Sequence, residues 1–134
     1  MNRIILVEDN PADAALARIT LADLAPGTEL THCQNGQELL DLLHREGAEK
    51  TAVILLDLNM PLKNGFDTLS ELRADEQFAN LPVVVFSSSV HYQDVMRCYD
   101  LGANAYVAKP MDMDRYDRTM ASIVRFWSNL NQRI

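Results

Sequence analysis

Ala52-Val53-Ile54-Leu55-Leu56-Asp57 is a run of consecutive apolar residues closed by a carboxylate. A short run that is apolar at every position, not at alternate ones, reads as a strand buried on both faces of a sheet. Ile4-Ile5-Leu6-Val7 is a second such run and ends on Glu8-Asp9; Pro82-Val83-Val84-Val85-Phe86 is a third and ends on Ser87-Ser88-Ser89. Two weaker segments complete the set. Glu29 to Cys33 alternates more and is placed at a sheet edge, and Ala105 to Ala108 is stopped by Lys109-Pro110. Strands buried on both faces need cover on both faces, and the intervening segments have helical spacing.

The first of these segments opens on Asn10-Pro11, a cap residue with proline at the first helical position. Ala12, Ala15, Leu16, Ile19 and Ala22 then recur as its expected inner row, up to Pro26-Gly27. Leu39, Leu40 and Leu43 mark a second helix ending near Gly47, and Phe66, Leu69 and Leu72 a third, after a loop holding Met60-Pro61 and Asn64-Gly65. Val95, Cys98 and Tyr99 lie on a fourth, closed by Gly102 in a left-handed cap. Asp112 caps a long last helix, expected over about residues 112–131, with Met113, Tyr116, Met120, Ile123, Val124, Trp127 and Leu130 on one side. Strand and helix alternating five times predict one α/β domain over residues 1–134, built on a parallel sheet.

The composition sets limits on what such a domain does. The 134 residues carry 12 Lys+Arg against 19 Asp+Glu, a net charge of −7, which argues against a nucleic-acid backbone as partner. With 48% hydrophobic and 23% charged residues the chain is neither disordered nor fibrous. Two cysteines make no disulfide framework and point to a reducing compartment. No apolar run is long enough for a signal peptide or membrane span. Together these predict a soluble cytoplasmic protein.

In a parallel sheet every strand ends at the same edge, where ligands bind. The residues that follow the strands are Glu8 and Asp9, Asp57, Ser87 and Lys109. Topology alone thus gathers three carboxylates, a hydroxyl and an ammonium. Carboxylates so gathered repel, and one would take up a proton unless a cation intervened. Few, hard oxygen ligands suit Mg²⁺, and no His/Cys set has zinc spacing. A carboxylate beside a cation and a lysine can act as a nucleophile toward phosphorus and form an aspartyl-phosphate.

Six stretches in order, Ile4 to Asn10, Leu55 to Pro61, Asn64-Gly65, Pro82 to Ser87, Gly102 to Tyr106 and Lys109-Pro110, make the chain resemble the receiver domain of two-component response regulators over nearly its whole length. The resemblance implies a flavodoxin-like (βα)5 fold with strand order 2-1-3-4-5. It implies that Asp57 accepts a phosphoryl group from a sensor histidine kinase. It implies Mg²⁺, with Mn²⁺ able to substitute, held by Asp9, Asp57, the backbone carbonyl of Asn59 and, often through a water, Glu8. Lys109, Ser87 and Ser88 would line the phosphoryl group. Ser87 and Tyr106 would be the switch pair, and Lys109–Pro110 a cis bond. Their movement would remodel the face built by the fourth helix, fifth strand and fifth helix for partner binding or phosphorelay. Glu8 stands where Asp is commoner, Ser87 where Thr is, and Ser88 where a small Ala is; Asn59 and Ser89 fall where the family tunes dephosphorylation.

Asn10-Pro11-Ala12-Asp13, Met113-Asp114-Arg115-Tyr116 and Phe126-Trp127 further resemble the stand-alone regulators that accompany phytochrome-type kinases. That likeness implies a two-fold dimer through the same face or the last helix. Tyr116, Ile123, Phe126 and Trp127 are its candidate patch, with Phe126 about a quarter turn off the core stripe. No output domain is expected beyond the last helix, so the expected output is binding or a step in a phosphorelay. Other readings stay open: a receiver-like interaction module independent of phosphorylation, an aspartyl-phosphate phosphatase, or a flavin carrier. A phosphatase would want a second Asp where Asn59 stands, and a flavin site a glycine-rich loop where Glu8-Asp9-Asn10 stands. Cys33 and Cys98 are expected in the core, and His32, His44 and His91 at the surface or its boundary.

Overall fold

A computed structural model describes residues 3–60 and 62–131; Pro61, placed in a loop by the sequence, lies outside them. The order is β1 (Arg3–Val7), α1 (Pro11–Leu24), β2 (Glu29–Cys33), α2 (Gly36–Glu46), β3 (Thr51–Leu56), α3 (Gly65–Ala74), β4 (Val83–Ser87), α4 (Tyr92–Asp100), β5 (Ala105–Ala108) and α5 (Met113–Val124), which runs on into a π-helical segment (Arg125–Leu130). All pairings are parallel and the sheet order is β2-β1-β3-β4-β5. This is the flavodoxin-like order expected. Among the described residues no helix is long and apolar enough to cross a membrane.

The apolar runs do what their composition dictates. Every residue of β1, β3 and β4 is buried, and successive side chains feed opposite faces. Ile5, Val7, Ile54, Leu56, Val83 and Val85 join the core under α2 and α3. Ile4, Leu6, Val53, Leu55, Val84 and Phe86 join that under α1 and α5. β2 is exposed or half-buried up to Cys33, as befits an edge. Cys33 and Cys98 are both core residues, and burial pushes their thiols up to about 11.

Local signals set the helix ends. The Asn10 side chain accepts from the N–H groups of Ala12 (2.9 Å) and Asp13 (3.1 Å), and Asp112 accepts from Asp114 N–H (3.2 Å). Gly102, at φ 104°, turns the chain from α4 toward β5 in a conformation that side chains resist.

Four expectations are corrected. The inner row of α1 is Ala14, Ala17, Thr20 and Leu21, whereas Ile19 is 67% exposed. The helix is rich in alanine, so several rows share the same spacing, and packing against β1 and α5 selects among them. Met113 and Leu130 are exposed, not core. Tyr116 and Ile123 are buried, which removes them from the expected dimer patch: Tyr116 packs against the Phe86 ring at 5.8 Å, on the face of α5 turned to the sheet. Finally, every peptide bond among the described residues is trans, Lys109–Pro110 included. Trans is the intrinsic preference of X–Pro by about 0.5–1 kcal/mol. The Lys109 N–H still reaches Ser87 O at 2.9 Å with the bond in that form.

Candidate functional site

The C-terminal ends of β1, β3, β4 and β5 deliver the expected residues to one edge. Glu8 and Asp9 leave β1, Asp57 leaves β3, Ser87 is the last residue of β4, and Lys109 follows β5. Glu8, Asp9 and Asp57 each offer a carboxylate oxygen, all within 4.8 Å of one another. Glu8 is 3% and Asp57 8% exposed, while Asp9 opens to solvent.

Each buried carboxylate is held. Lys109 Nζ donates to Glu8 Oε1 at 2.5 Å and lies 4.0 Å from Asp57 Oδ1 and 3.5 Å from Asp13 Oδ2. Asn10 N–H donates to Glu8 Oε2 (3.2 Å), and Leu58 N–H to Asp57 Oδ1 (2.9 Å). The Asp57 backbone is fixed in turn, since its N–H donates to Val7 O at 3.1 Å. Gly65 lets α3 start directly against this loop: a Cβ there would come within 2.6 Å of Asp57 O and 2.8 Å of Leu58 Cα.

The electrostatics follow from this crowding. Burial pushes the Asp57 carboxyl up to about 7; Lys109 pulls it down, and the Glu8 charge pushes it up again. Burial opposes the charge on Lys109, yet Glu8, Asp57 and Asp13 outweigh it and raise its pKa. One ammonium faces several carboxylates, so the cluster is short of positive charge. Its donors are hard oxygens, with no thiolate or imidazole among the three, and they fit a divalent cation of the Mg²⁺ type.

Ser87 is fully buried, and its Oγ accepts from Ser89 N–H at 3.3 Å. Ser89 Oγ donates to Asp94 Oδ2 on α4 (2.7 Å). Tyr106 is half-buried, and its hydroxyl donates to Ser89 O at 2.7 Å. Ser87 and Tyr106 are therefore two bonds apart through Ser89. Ser88 and Asn59 are both exposed at the rim.

Three partners were not legible in the sequence. Asp13, in the first turn of α1, has its Oδ2 3.5 Å from Lys109 Nζ. Tyr99 on α4 accepts the Tyr106 N–H at 3.1 Å. His32 on β2 sets Nε2 2.7 Å from Glu8 O. Alternation along β2 was the only signal for His32. His44, by contrast, sits beside Asp75 at 3.1 Å, and His91 is exposed at the start of α4.

Comparison with known proteins agrees with this geometry. The model of the response regulator receiver domain matches residues 4–120. The probable methanogenesis regulatory protein FilR2 of Methanothrix harundinacea is 32% identical over 132 residues, 96% of this chain and 85% of its own. Response regulator Rcp1 of Synechocystis is 31% identical over 128 residues, 92% of this chain and 87% of its own. Among solved structures, the phosphorylated cyanobacterial phytochrome response regulator RcpA superposes with a TM-score of 0.88 at 33% identity, over 98% of this chain and 96% of that one. The Mn²⁺-bound form of Rcp1 gives 0.87 at 30%, over 100% and 99%. The chain belongs to the response regulator receiver domain family.

Proposed function

We propose that Asp57 accepts a phosphoryl group from the phosphohistidine of a sensor histidine kinase. The reaction needs Mg²⁺, or Mn²⁺, held by Glu8, Asp9, Asp57 and the backbone carbonyl of Asn59. The observation that carries this reading is the convergence of three carboxylates and Lys109 at the strand ends, with Asp57 buried yet reachable. Receiver domains as a family are phospho-acceptors, and Rcp1 binds Mn²⁺ in the structure cited above.

The bound cation supplies positive charge against the carboxylates and the phosphoryl oxygens. Asp57, ionised, presents a carboxylate oxygen to phosphorus. The new O–P bond forms as the P–N bond to the donor imidazole breaks, and the imidazole leaves with the electron pair. Lys109 holds its charge beside Asp57 Oδ1 and Glu8 and can turn to a phosphoryl oxygen. Ser87 and Ser88 border the same space, and the Ser87 hydroxyl donates to another phosphoryl oxygen. That donation re-aims the oxygen which now accepts from Ser89 N–H. Because Tyr106 holds Ser89 O, and Ser89 Oγ holds Asp94, movement at Ser87 passes to β5 and α4. A two-state face of α4, β5 and α5 is thereby biased toward partner binding or phosphorelay. Self-phosphorylation from small donors and self-dephosphorylation are the only turnover expected.

The likeness to the phytochrome response regulator RcpA supports a kinase of the phytochrome type as partner. Phe126, 46% exposed and edge-on to Trp127 at 4.9 Å, supports self-association through the last helix. The test of the acceptor reading is intact mass after incubation with acetyl phosphate. The parent gains one phosphoryl group with Mg²⁺ and none with EDTA, and Asp57→Asn gains none in either. Gain without a divalent cation, or no gain even from a cognate kinase, would refute it.

A further inference from the structure

We infer that His32 is a positioning residue for the cation site, acting through the peptide group that joins Glu8 to Asp9. The inference rests on the proposed metal site. Its basis is where the β1–β2 ladder stops. Pairing runs as far as Leu6↔His32 and Val7↔Cys33, and Glu8 N–H donates to Cys33 O at 3.0 Å. Beyond Cys33 the chain leaves the sheet: Gln34 N–H turns to Glu38 Oε1 (2.9 Å), and Asn35 caps α2 by accepting from Glu38 N–H (2.9 Å). In this parallel register the N–H that would continue the ladder to the Glu8 carbonyl belongs to Asn35, which lies beyond the end of β2 as the cap of α2. A buried carbonyl needs a partner, and Glu8 is 3% exposed. The His32 side chain reaches forward from the edge strand and supplies it at 2.7 Å. The carbonyl only accepts, so this nitrogen carries the proton, in the neutral Nε2–H tautomer and in the imidazolium alike.

The bonded carbonyl and the Asp9 N–H belong to one planar peptide. Fixing the carbonyl fixes the plane from which Asp9 departs. Glu8 is held through its side chain by Lys109 and Asn10, and Asp57 by Leu58 N–H. The hold on the exposed Asp9 runs through its backbone: His32 fixes the peptide before it, and the Glu8 carboxylate, accepting from Asn10 N–H, the peptide after it. Such outer groups orient ligating carboxylates, and their loss commonly weakens metal binding by roughly 10–100-fold.

The experiment is titration of the metal-free protein with MnCl₂ by calorimetry, on the parent, His32→Leu, His32→Gln and Asp9→Asn. Glutamine places a donor N–H near the position of Nε2, and leucine removes it. His32→Leu is expected to bind Mn²⁺ roughly tenfold more weakly, His32→Gln within about threefold of the parent, and both with the parent's urea midpoint in EDTA to within about half a molar. With acetyl phosphate, His32→Leu should need more Mg²⁺ for half-maximal rate yet reach the parent's rate at saturation, a shift that a general loss of stability does not produce. Equal Mn²⁺ affinity in His32→Leu and parent overturns the inference alone. So does a weakening in His32→Gln as large as in His32→Leu. Absence of Mn²⁺ binding by the parent, or full binding by Asp9→Asn, overturns the site reading and this inference with it.

Discussion

The carboxylate cluster is held together against its own charge, and Asp57→Asn should release that cost. The folded protein raises the Asp57 pKa from 3.8 to about 7. A raised acid pKa means that the folded state binds its proton more tightly than the unfolded state does. Stability from this group is thus complete below about pH 4 and is lost as pH rises through 7. The shift is about 3 units at about 1.4 kcal/mol each, so the ionised carboxylate costs the metal-free fold about 4 kcal/mol at pH 8. Asparagine keeps the shape and an acceptor for Leu58 N–H without the charge. In urea unfolding with EDTA, Asp57→Asn should exceed the parent by about 2–4 kcal/mol at pH 8, with about 2–3 kcal/mol of that gap closing by pH 5. Mg²⁺ should then stabilise the parent at pH 8 far more than the variant, because only the parent keeps the full ligand set. A variant less stable than the parent at pH 8, or a gap that does not move with pH, would refute the reasoning.

Lys109→Met leaves Glu8 buried with its charge unpaired; a loss of about 3–5 kcal/mol by urea unfolding is expected, and with it loss of phosphoryl transfer from acetyl phosphate. Gly65→Ala drives a methyl into the Asp57 and Leu58 backbone, so it should cost about 1–3 kcal/mol or more and slow Asp57 phosphorylation in a mass time course. Phe126→Ser should lower the self-association seen by sedimentation equilibrium and leave the phosphorylation rate unchanged; an unaltered dimer would remove Phe126 from the interface.

How far the fold could be read in advance depended on how local its causes are. β1, β3 and β4 were legible because burial on both faces demands an apolar residue at every position. Asn10 and Asp112 were legible because a cap is chemistry between near neighbours. The inner row of α1 was not, because alanines at many positions leave the choice to β1 and α5. Nor was the π-helical end of α5, whose hydrogen-bond register shifts after Val124; nothing in Arg125-Phe126-Trp127 marks such a shift. The site followed the same division. Glu8, Asp9, Asp57, Ser87 and Lys109 could be brought together from strand ends alone, since a parallel sheet puts those ends on one edge. His32, Asp13 and Tyr99 could not. Their contacts depend on register across β1–β2, on the reach of the Lys109 side chain to α1 and on the packing of α4 against β5, which no single segment encodes. Burial of Tyr116 and Ile123 likewise shows that one helical stripe cannot serve as both core and partner patch.

The most direct test of the central claim is to locate the phosphoryl group. The parent is phosphorylated with acetyl phosphate and Mg²⁺, reduced with borohydride and sequenced by tandem mass spectrometry. An acyl phosphate on Asp57 is reduced to an alcohol, so homoserine at position 57 and at no other carboxylate is the predicted result. Homoserine at position 9 or elsewhere, or a phosphoryl group that resists borohydride on a serine such as Ser87, would contradict it.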